Sequence, residues 1–252
     1  MSDDGRLALA RGVIARLLGI ALAPPGDATL EELFSQRARR VLARAALIMD
    51  GGEAGPVGAA AKELASLPAP SLQELRRVHL RIFGHTPRGK VCPYETEYGR
   101  EEIFQQAHEL ADIAGFYRAF GLKPAPEDGE RPDHIACELE FLAFLSLKEA
   151  YAIEKADEEM LEITKAAAKK FLRDHAGAFG RAFAAALERE DPGGPYGASA
   201  RLCAAFLTTW CAQAGVPAGP EYLSLRPEMP DAVPMACGAE PDLIQIQHPR
   251  SS

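Results

Sequence analysis

The sequence predicts an all-α protein that folds as a single-domain helical bundle, and three observations support this. Apolar residues recur at intervals of three and four along most of the chain, which is the spacing of one helical face. No segment alternates apolar and polar residues for long, as a half-buried strand does. The chain has 252 residues, 47% of them hydrophobic, which is enough to bury a sizeable core.

Proline and glycine residues divide the first third of the chain into four predicted helices. Their apolar faces cover residues 10–23, 29–50, 60–67 and 72–83. The fourth helix has the clearest start, because Ser71 is a favourable N-cap and Glu74 follows three residues later, which together form a capping box. Gly84 is expected to end this helix.

Residues 85–98 contain proline and glycine without any helical period, so they predict a loop. Helical spacing returns in five later segments, which cover residues 103–117, 132–145, 160–171, 179–187 and 200–214. The segment that starts at Pro132-Asp133 is predicted to be the central helix. Residues 217–252 are rich in proline and form a predicted irregular tail, which follows an all-helical domain over residues 1–216.

Charge and cysteine content indicate which partners and which cellular compartment to expect for this protein. The formal net charge of −8 and the isoelectric point near 5.4 disfavour attraction to nucleic-acid phosphates or anionic lipid. The five cysteines form no Cys-x-x-Cys pair, and the N-terminus lacks the basic region of a signal peptide. No uncharged run approaches the roughly 20 residues of a membrane-spanning helix. We therefore expect a cytoplasmic protein with no nucleic-acid partner and no stable membrane association.

Motifs of the common enzyme classes are missing from the sequence. Neither type of glycine-rich phosphate loop occurs, and there is no Gly-x-Ser-x-Gly elbow or His-Glu-x-x-His pair. We therefore expect a binding protein rather than an enzyme, with no cofactor and no nucleotide site.

One triplet of residues leaves an alternative open. His134, Cys137 and Glu138 lie at positions i, i+3 and i+4, where side chains on a helix converge and could bind a transition metal. On this alternative the protein is a metal-dependent enzyme. The competing interpretation is that His134 and Glu138 pair near a helix start while Cys137 packs as a small apolar residue.

The segment Cys92–Gly99 places two tyrosines and two carboxylates beside a proline. Tyr94 and Tyr98 offer contact area with a polar tip, and Glu95 and Glu97 can accept paired hydrogen bonds from arginine. This combination suits recognition of a basic, partly apolar peptide. The alternative is that the tyrosines anchor the loop to the helices and the glutamates cap the next helix.

Two motifs resemble the TorD/DmsD/NarJ family of redox-enzyme maturation chaperones. The first runs from His79 to His85 and continues in Cys92–Gly99, and the second is Pro132-Asp133-His134 followed by Glu138–Leu142. Within the first motif, Phe83-Gly84-His85 and Tyr94–Gly99 resemble most the branch that serves nitrate, selenate and ethylbenzene type enzymes. The first departs from the family in having Val91-Cys92-Pro93 where many members carry two consecutive prolines before the tyrosine.

The resemblance implies a TorD-like all-α fold and a partner that is the apo catalytic subunit of a molybdopterin oxidoreductase. Such a chaperone assists cofactor insertion and holds back export, in some members by binding the twin-arginine signal peptide of the subunit. The implied client-binding residues are Tyr94, Glu95, Tyr98, Asp133, His134, Glu138 and Phe141. A helical scaffold protein with an unrelated partner is the other alternative, and the sequence leaves open whether the protein is a monomer or a dimer.

Roles within this implied site follow from the chemistry of its side chains. The three carboxylates are expected to neutralise two arginines of the peptide, while the aromatic rings cover its apolar residues. His85 and His134 are expected to titrate near neutral pH, so that binding could depend on pH.

Overall fold

The computed structural model describes residues 2–84, 88–99, 105–123 and 130–227, and this part of the chain is built from α-helices. The ten helices are α1 (Asp3–Leu22), α2 (Thr29–Phe34), α3 (Gln36–Met49), α4 (Pro56–Ser66), α5 (Leu72–Phe83), α6 (Gln105–Ala119), α7 (Ile135–Lys155), α8 (Glu158–Asp174), α9 (Ala176–Glu190) and α10 (Pro195–Ala214). The prediction of an all-α fold is confirmed. None of these helices is both long and apolar enough to cross a bilayer.

Helix α7 lies at the centre of the bundle, where it packs along α1 and against α8 and α9. Two glycines of α1 allow the close approach of α7. A Cβ atom added at Gly12 would lie 3.3 Å from the Cβ of Ser146, and one added at Gly19 would lie 3.1 Å from the Cγ of Glu140. Larger residues at these positions would push the two helices apart.

A second layer is formed by α10, which packs against α9 and α4 and also contacts α1 and α8. The core between the layers is apolar and strongly aromatic. Its fully buried side chains include Leu142, Phe171, Phe183 and Phe206. Burial of such side chains is the main stabilising contribution to a helical bundle, since most helical stability in proteins comes from tertiary packing.

Helix boundaries differ from the predictions at several places, and at two of them a capping side chain explains the difference. The predicted helix over 29–50 is two helices, because Ser35 accepts a hydrogen bond at its Oγ from the Ala38 amide, 3.1 Å away, and starts a new helix there. Helix α7 begins at Ile135 rather than at Pro132-Asp133. Its N-cap is His134, whose Nδ1 accepts from the Ala136 amide at 3.1 Å.

Residues 217–227 contain no helix, yet they pack on the helical body. The Gly219 amide donates to the Gly177 carbonyl at 2.8 Å, and Arg181 donates to the Gly219 carbonyl at 2.8 Å. Arg226 is only 8% exposed. The predicted domain boundary after residue 216 stays a prediction, and these residues beyond it belong structurally to the bundle.

Candidate functional site

The loop between α5 and α6 is held against the start of α7 by backbone hydrogen bonds. The Glu95 amide donates to the Asp133 carbonyl and the Ile135 amide to the Pro93 carbonyl, both at 2.9 Å. At the other end of the loop the Val91 amide donates to the Ile82 carbonyl at 3.2 Å. The two motifs of the sequence analysis are therefore one structural unit, which we call the docking loop (residues 88–99) and its helix start.

Asp133 ties the docking loop to α7 from a fully buried position. One of its oxygens accepts from the Thr96 amide at 3.2 Å and from the Thr96 hydroxyl at 2.8 Å. Its carboxylate also accepts a bidentate pair of hydrogen bonds from Arg131, at 3.0 and 2.8 Å. Bidentate arginine–carboxylate pairs fix geometry as well as charge. The arginine that binds Asp133 therefore belongs to the same chain.

Glu97 is surrounded by cationic and amide donors. Arg131 donates to it at 2.8 Å, Arg88 at 3.0 Å and Gln106 at 3.0 Å. Burial alone would raise the pKa of Glu97, but the hydrogen bonds from Arg131 and Arg88 outweigh it and lower this pKa below its ordinary value. Glu97 is therefore an anion that holds two arginines in place.

A pair of buried carboxyl groups lies behind the loop. Glu138 is fully buried, and its burial together with the neighbouring Glu95 raises its pKa well above the ordinary value. The protonated form of Glu138 is therefore favoured by its surroundings. Within the described residues Glu95 Oε2 has no other partner, so the Glu138 hydroxyl is its natural donor.

His175 lies at the junction of α8 and α9 and completes this buried chain of polar groups. Its Nδ1 lies 3.1 Å from Glu95 Oε1 and its Nε2 lies 3.1 Å from Asp112 Oδ2. Burial acts to lower the pKa of His175, but the two carboxylates raise it by more, and the net shift is upward. Neither His175 nor Arg131 could be predicted from the sequence, because neither falls in a motif or on a periodic apolar face.

A groove of about 610 Å³ opens beside the docking loop. It runs between the end of α1, α6 and the first turns of α7, and its walls combine aromatic rings with charged groups. The lining residues are Ala23, Pro24, Tyr117, Leu122, Lys123, Glu130, Pro132, His134, Ala136, Cys137, Glu140, Phe141 and Phe144. Such a concave, mostly apolar surface with a few polar groups is typical of binding sites.

Tyr94 borders this groove and joins it to the docking loop. Its hydroxyl donates to Glu130 Oε2 at 3.0 Å, and its ring packs edge-on against the His134 ring with centroids 5.2 Å apart. The guanidinium of Arg131 lies 4.6 Å from the centroid of the Tyr94 ring, which is a cation–π contact. The contacts of Tyr94 therefore connect the wall of the groove to the docking loop.

The seven predicted site residues fall into two groups. His134 and Phe141 line the groove and Tyr94 borders it. The other four lie beneath the loop, and they are Glu95, Tyr98, Asp133 and Glu138. Tyr98, for instance, donates from its hydroxyl to the Cys92 carbonyl at 2.7 Å. In this structure the three carboxyl groups face inward, and the arginine that Asp133 binds is Arg131 of the same chain.

The alternative of a metal site at His134, Cys137 and Glu138 has no geometric support. Within the described residues no group of three or more histidine, cysteine, aspartate or glutamate side chains is placed to hold a metal ion. His134 uses its Nδ1 as the helix cap, and burial lowers its pKa to about 4. The expectation that His134 titrates near neutral pH is therefore wrong, and His85 lies outside the described residues.

Comparison with known proteins defines the family. Residues 50–185, more than half of the chain, match the family model described as "Nitrate reductase delta subunit". The protein belongs to this family, which includes the NarJ and TorD chaperones. The predicted family is thus confirmed.

Two curated relatives extend this assignment. The chain is 36% identical over 95 residues to the selenate reductase assembly chaperone protein of Thauera selenatis, covering 38% of this chain and 45% of the relative. It is 30% identical over 125 residues to the chaperone protein TorD of Photobacterium profundum, covering 50% of this chain and 56% of the relative. The chain spans about half the length of the curated relatives it matches. Both relatives are named as chaperones, which agrees with the prediction of a binding protein.

Proposed function

We propose that this protein is a cytoplasmic maturation chaperone for the catalytic subunit of a molybdopterin oxidoreductase. It binds the subunit before the cofactor is inserted, and the bound region includes the twin-arginine signal peptide, so that export waits for maturation. Membership of the nitrate reductase delta subunit family and the names of the two relatives support this proposal.

The observation that carries the proposal is the groove beside the docking loop. Tyr117, Phe141 and Phe144 give it an aromatic surface, while among its described lining residues Glu130 and Glu140 bring two carboxylates against one lysine, Lys123. A basic, partly apolar segment matches this surface, because its apolar residues would be buried against the rings and its arginines would face the carboxylates.

On this proposal the seven site residues have two different roles. Tyr94, His134 and Phe141 contact the client segment. Asp133 and Glu138, together with Glu95 and Tyr98, hold the docking loop in the conformation that leaves the groove open. A site built on such a supported loop keeps its shape before the ligand arrives, which lowers the entropic cost of binding.

The test is co-purification with the molybdopterin-type catalytic subunit encoded nearest to this chain, with both proteins expressed together and this one tagged. Glu130→Lys reverses one groove carboxylate and removes the partner of the Tyr94 hydroxyl. We expect it to lower recovery of the subunit about tenfold. Glu159→Lys makes the same change of charge at an exposed position of α8 and serves as the control.

Equal recovery of the subunit with Glu130→Lys and Glu159→Lys would show that the binding face lies outside the groove. No recovery of any molybdopterin-type subunit with the wild-type protein would contradict the proposed function itself and favour a scaffold protein with another partner.

A further inference from the structure

The segment that follows α10 crosses the docking loop and pairs with it as a short strand would. We call residues 219–227 the strap. The Gly99 amide donates to the Ser224 carbonyl at 3.0 Å, and the Arg226 amide donates to the Glu97 carbonyl at 2.7 Å. Tyr98 and Leu225 form the isolated antiparallel bridge between these two bonds. Such backbone pairing does not depend on the side chains of the paired segment.

Arg226 is the side chain that anchors the strap in the docking loop. Its Nε donates to the Thr96 carbonyl at 2.9 Å, and its Nη2 donates to Glu109 Oε2 at 2.7 Å. The Arg226 carbonyl in turn accepts from Arg88 Nη1 at 2.8 Å. An arginine that is only 8% exposed and held by a carboxylate and a carbonyl occupies a formed socket rather than a solvated surface.

Gly99 is required for this socket. Its φ of +120° lies in a region that residues with a side chain rarely adopt. A Cβ atom at this position would lie 3.2 Å from Nη2 of Arg226. The glycine therefore leaves room for the Arg226 guanidinium beside the backbone of the docking loop.

Gly219 and Glu221 hold the start of the strap on α9 through Gly177 and Arg181, but two side chains of the strap nearer the docking loop stay exposed. Tyr222 is 74% exposed and Leu225 is 39% exposed, so neither is buried in the core. The arginine and the two backbone bonds are therefore the main hold over residues 224–226. If Arg226 left, Glu109 would lose the arginine that donates to it, and the backbone edge at Glu97–Gly99 would be open to another strand.

We propose that residues 224–226 fill, within the chain, a binding site for an extended arginine-bearing segment of the client, so that the strap is displaced when such a segment enters. Residues 224–226 themselves define the ligand class: an extended peptide that pairs through its backbone and buries one arginine. This proposal rests on the proposed chaperone function for the identity of the client, and it makes the strap an internal competitor of client binding.

The test uses the full-length chain and amide hydrogen exchange at Gly99, whose amide is protected by Ser224 when the strap is in place. In Arg226→Ala we expect exchange at Gly99 to rise at least about tenfold. Adding the peptide Glu-Tyr-Leu-Ser-Leu-Arg-Pro, the sequence of residues 221–227, at millimolar concentration should restore protection. The same peptide with alanine in place of arginine should not.

Tyr222→Ala is the matched control, because it alters an exposed residue of the same strap and should leave Gly99 protected. If Gly99 stays protected in Arg226→Ala, the arginine does not anchor the strap and the proposal fails. It also fails if Gly99 becomes exposed and the arginine peptide does not restore protection. Neither outcome involves a client, so failure here is distinguishable from failure of the chaperone function, which the co-purification tests.

Discussion

At the scale of single residues, the sequence predicted a set of polar site residues but not which way their side chains face. Asp133 and Glu95 were expected to bind arginines of a peptide, whereas the structure pairs them with Arg131 and His175 of the same chain. The partners could not be predicted, because both come from positions without motif or period. A carboxylate that will be buried and one that will be exposed can have the same sequence pattern, because only the fold brings their partners close.

Glu138 provides a test of the buried carboxyl pair. Its folded-state pKa is raised, so the folded protein binds more protons than the unfolded chain above pH 4.5, and stability falls as pH rises towards the folded pKa. The variant Glu138→Gln is neutral at every pH and keeps the shape. We expect urea unfolding to give similar stabilities for both proteins at pH 5 and a more stable variant at pH 8.

The contradicting result would be a loss of several kcal/mol on Glu138→Gln at pH 8, since that is the penalty for removing a required buried charge. Thr164→Val serves as a control at another buried polar position, because its hydroxyl has no partner within the described residues and does not titrate.

His134 predicts a sensitivity to acid with the opposite dependence on pH. Burial lowers its folded-state pKa to about 4. The stability linked to this lowered pKa is fully present above the unfolded pKa near 6.5 and is lost as pH falls towards 4, by up to about 3 kcal/mol. Asparagine also caps helices and does not titrate. His134→Asn should therefore lose less stability than the wild type between pH 7 and pH 4.5, measured by urea unfolding.

His79 contributes acid sensitivity to both proteins, because burial and the nearby His134 lower its pKa to about 4. Parallel loss of stability in wild type and His134→Asn would show that His134 does not contribute to the acid sensitivity.

At the scale of elements, periodicity predicted the helices and local side chains set their ends. The break at Ser35 and the start of α7 at Ile135 both depend on a single hydrogen bond to a capping side chain, which a 3.6-residue pattern does not report. The capping box predicted at Ser71 was easier, because its Oγ accepts from the Glu74 amide at 3.1 Å as the spacing implies.

The docking loop should be the element most sensitive to loss of one charge. Asp133→Asn removes the charge that holds Arg131 and leaves a buried amide among its donors, so we expect it to cost about 2–4 kcal/mol in the free energy of unfolding. Urea unfolding measures this, and hydrogen exchange should show the largest rise at the Thr96 amide, which donates to Asp133.

Asp157→Asn is the matched control, since Asp157 caps α8 from an exposed position and asparagine caps nearly as well. A loss below about 1 kcal/mol for Asp133→Asn would mean that the docking loop is held by its backbone bonds rather than by the carboxylate.

At the scale of the whole molecule, the fold class and the family followed from the sequence while the groove did not. Its walls come from the end of α1, from α6 and from α7, so that Pro24, Tyr117 and Phe141 meet although they are far apart along the chain. No motif joins such positions. The strap was missed for the same reason, because Arg226 lies far in sequence from the Glu97 and Glu109 that surround it.

The maturation role is tested most directly by the molybdenum content of the catalytic subunit bound to this protein. Metal analysis would compare the subunit in the co-purified complex with the same subunit purified free from the same cells. The proposed chaperone function predicts little molybdenum in the complex and full occupancy in the free subunit. A complex that retains fully loaded subunit would contradict it, because a chaperone that acts before cofactor insertion must release the mature enzyme.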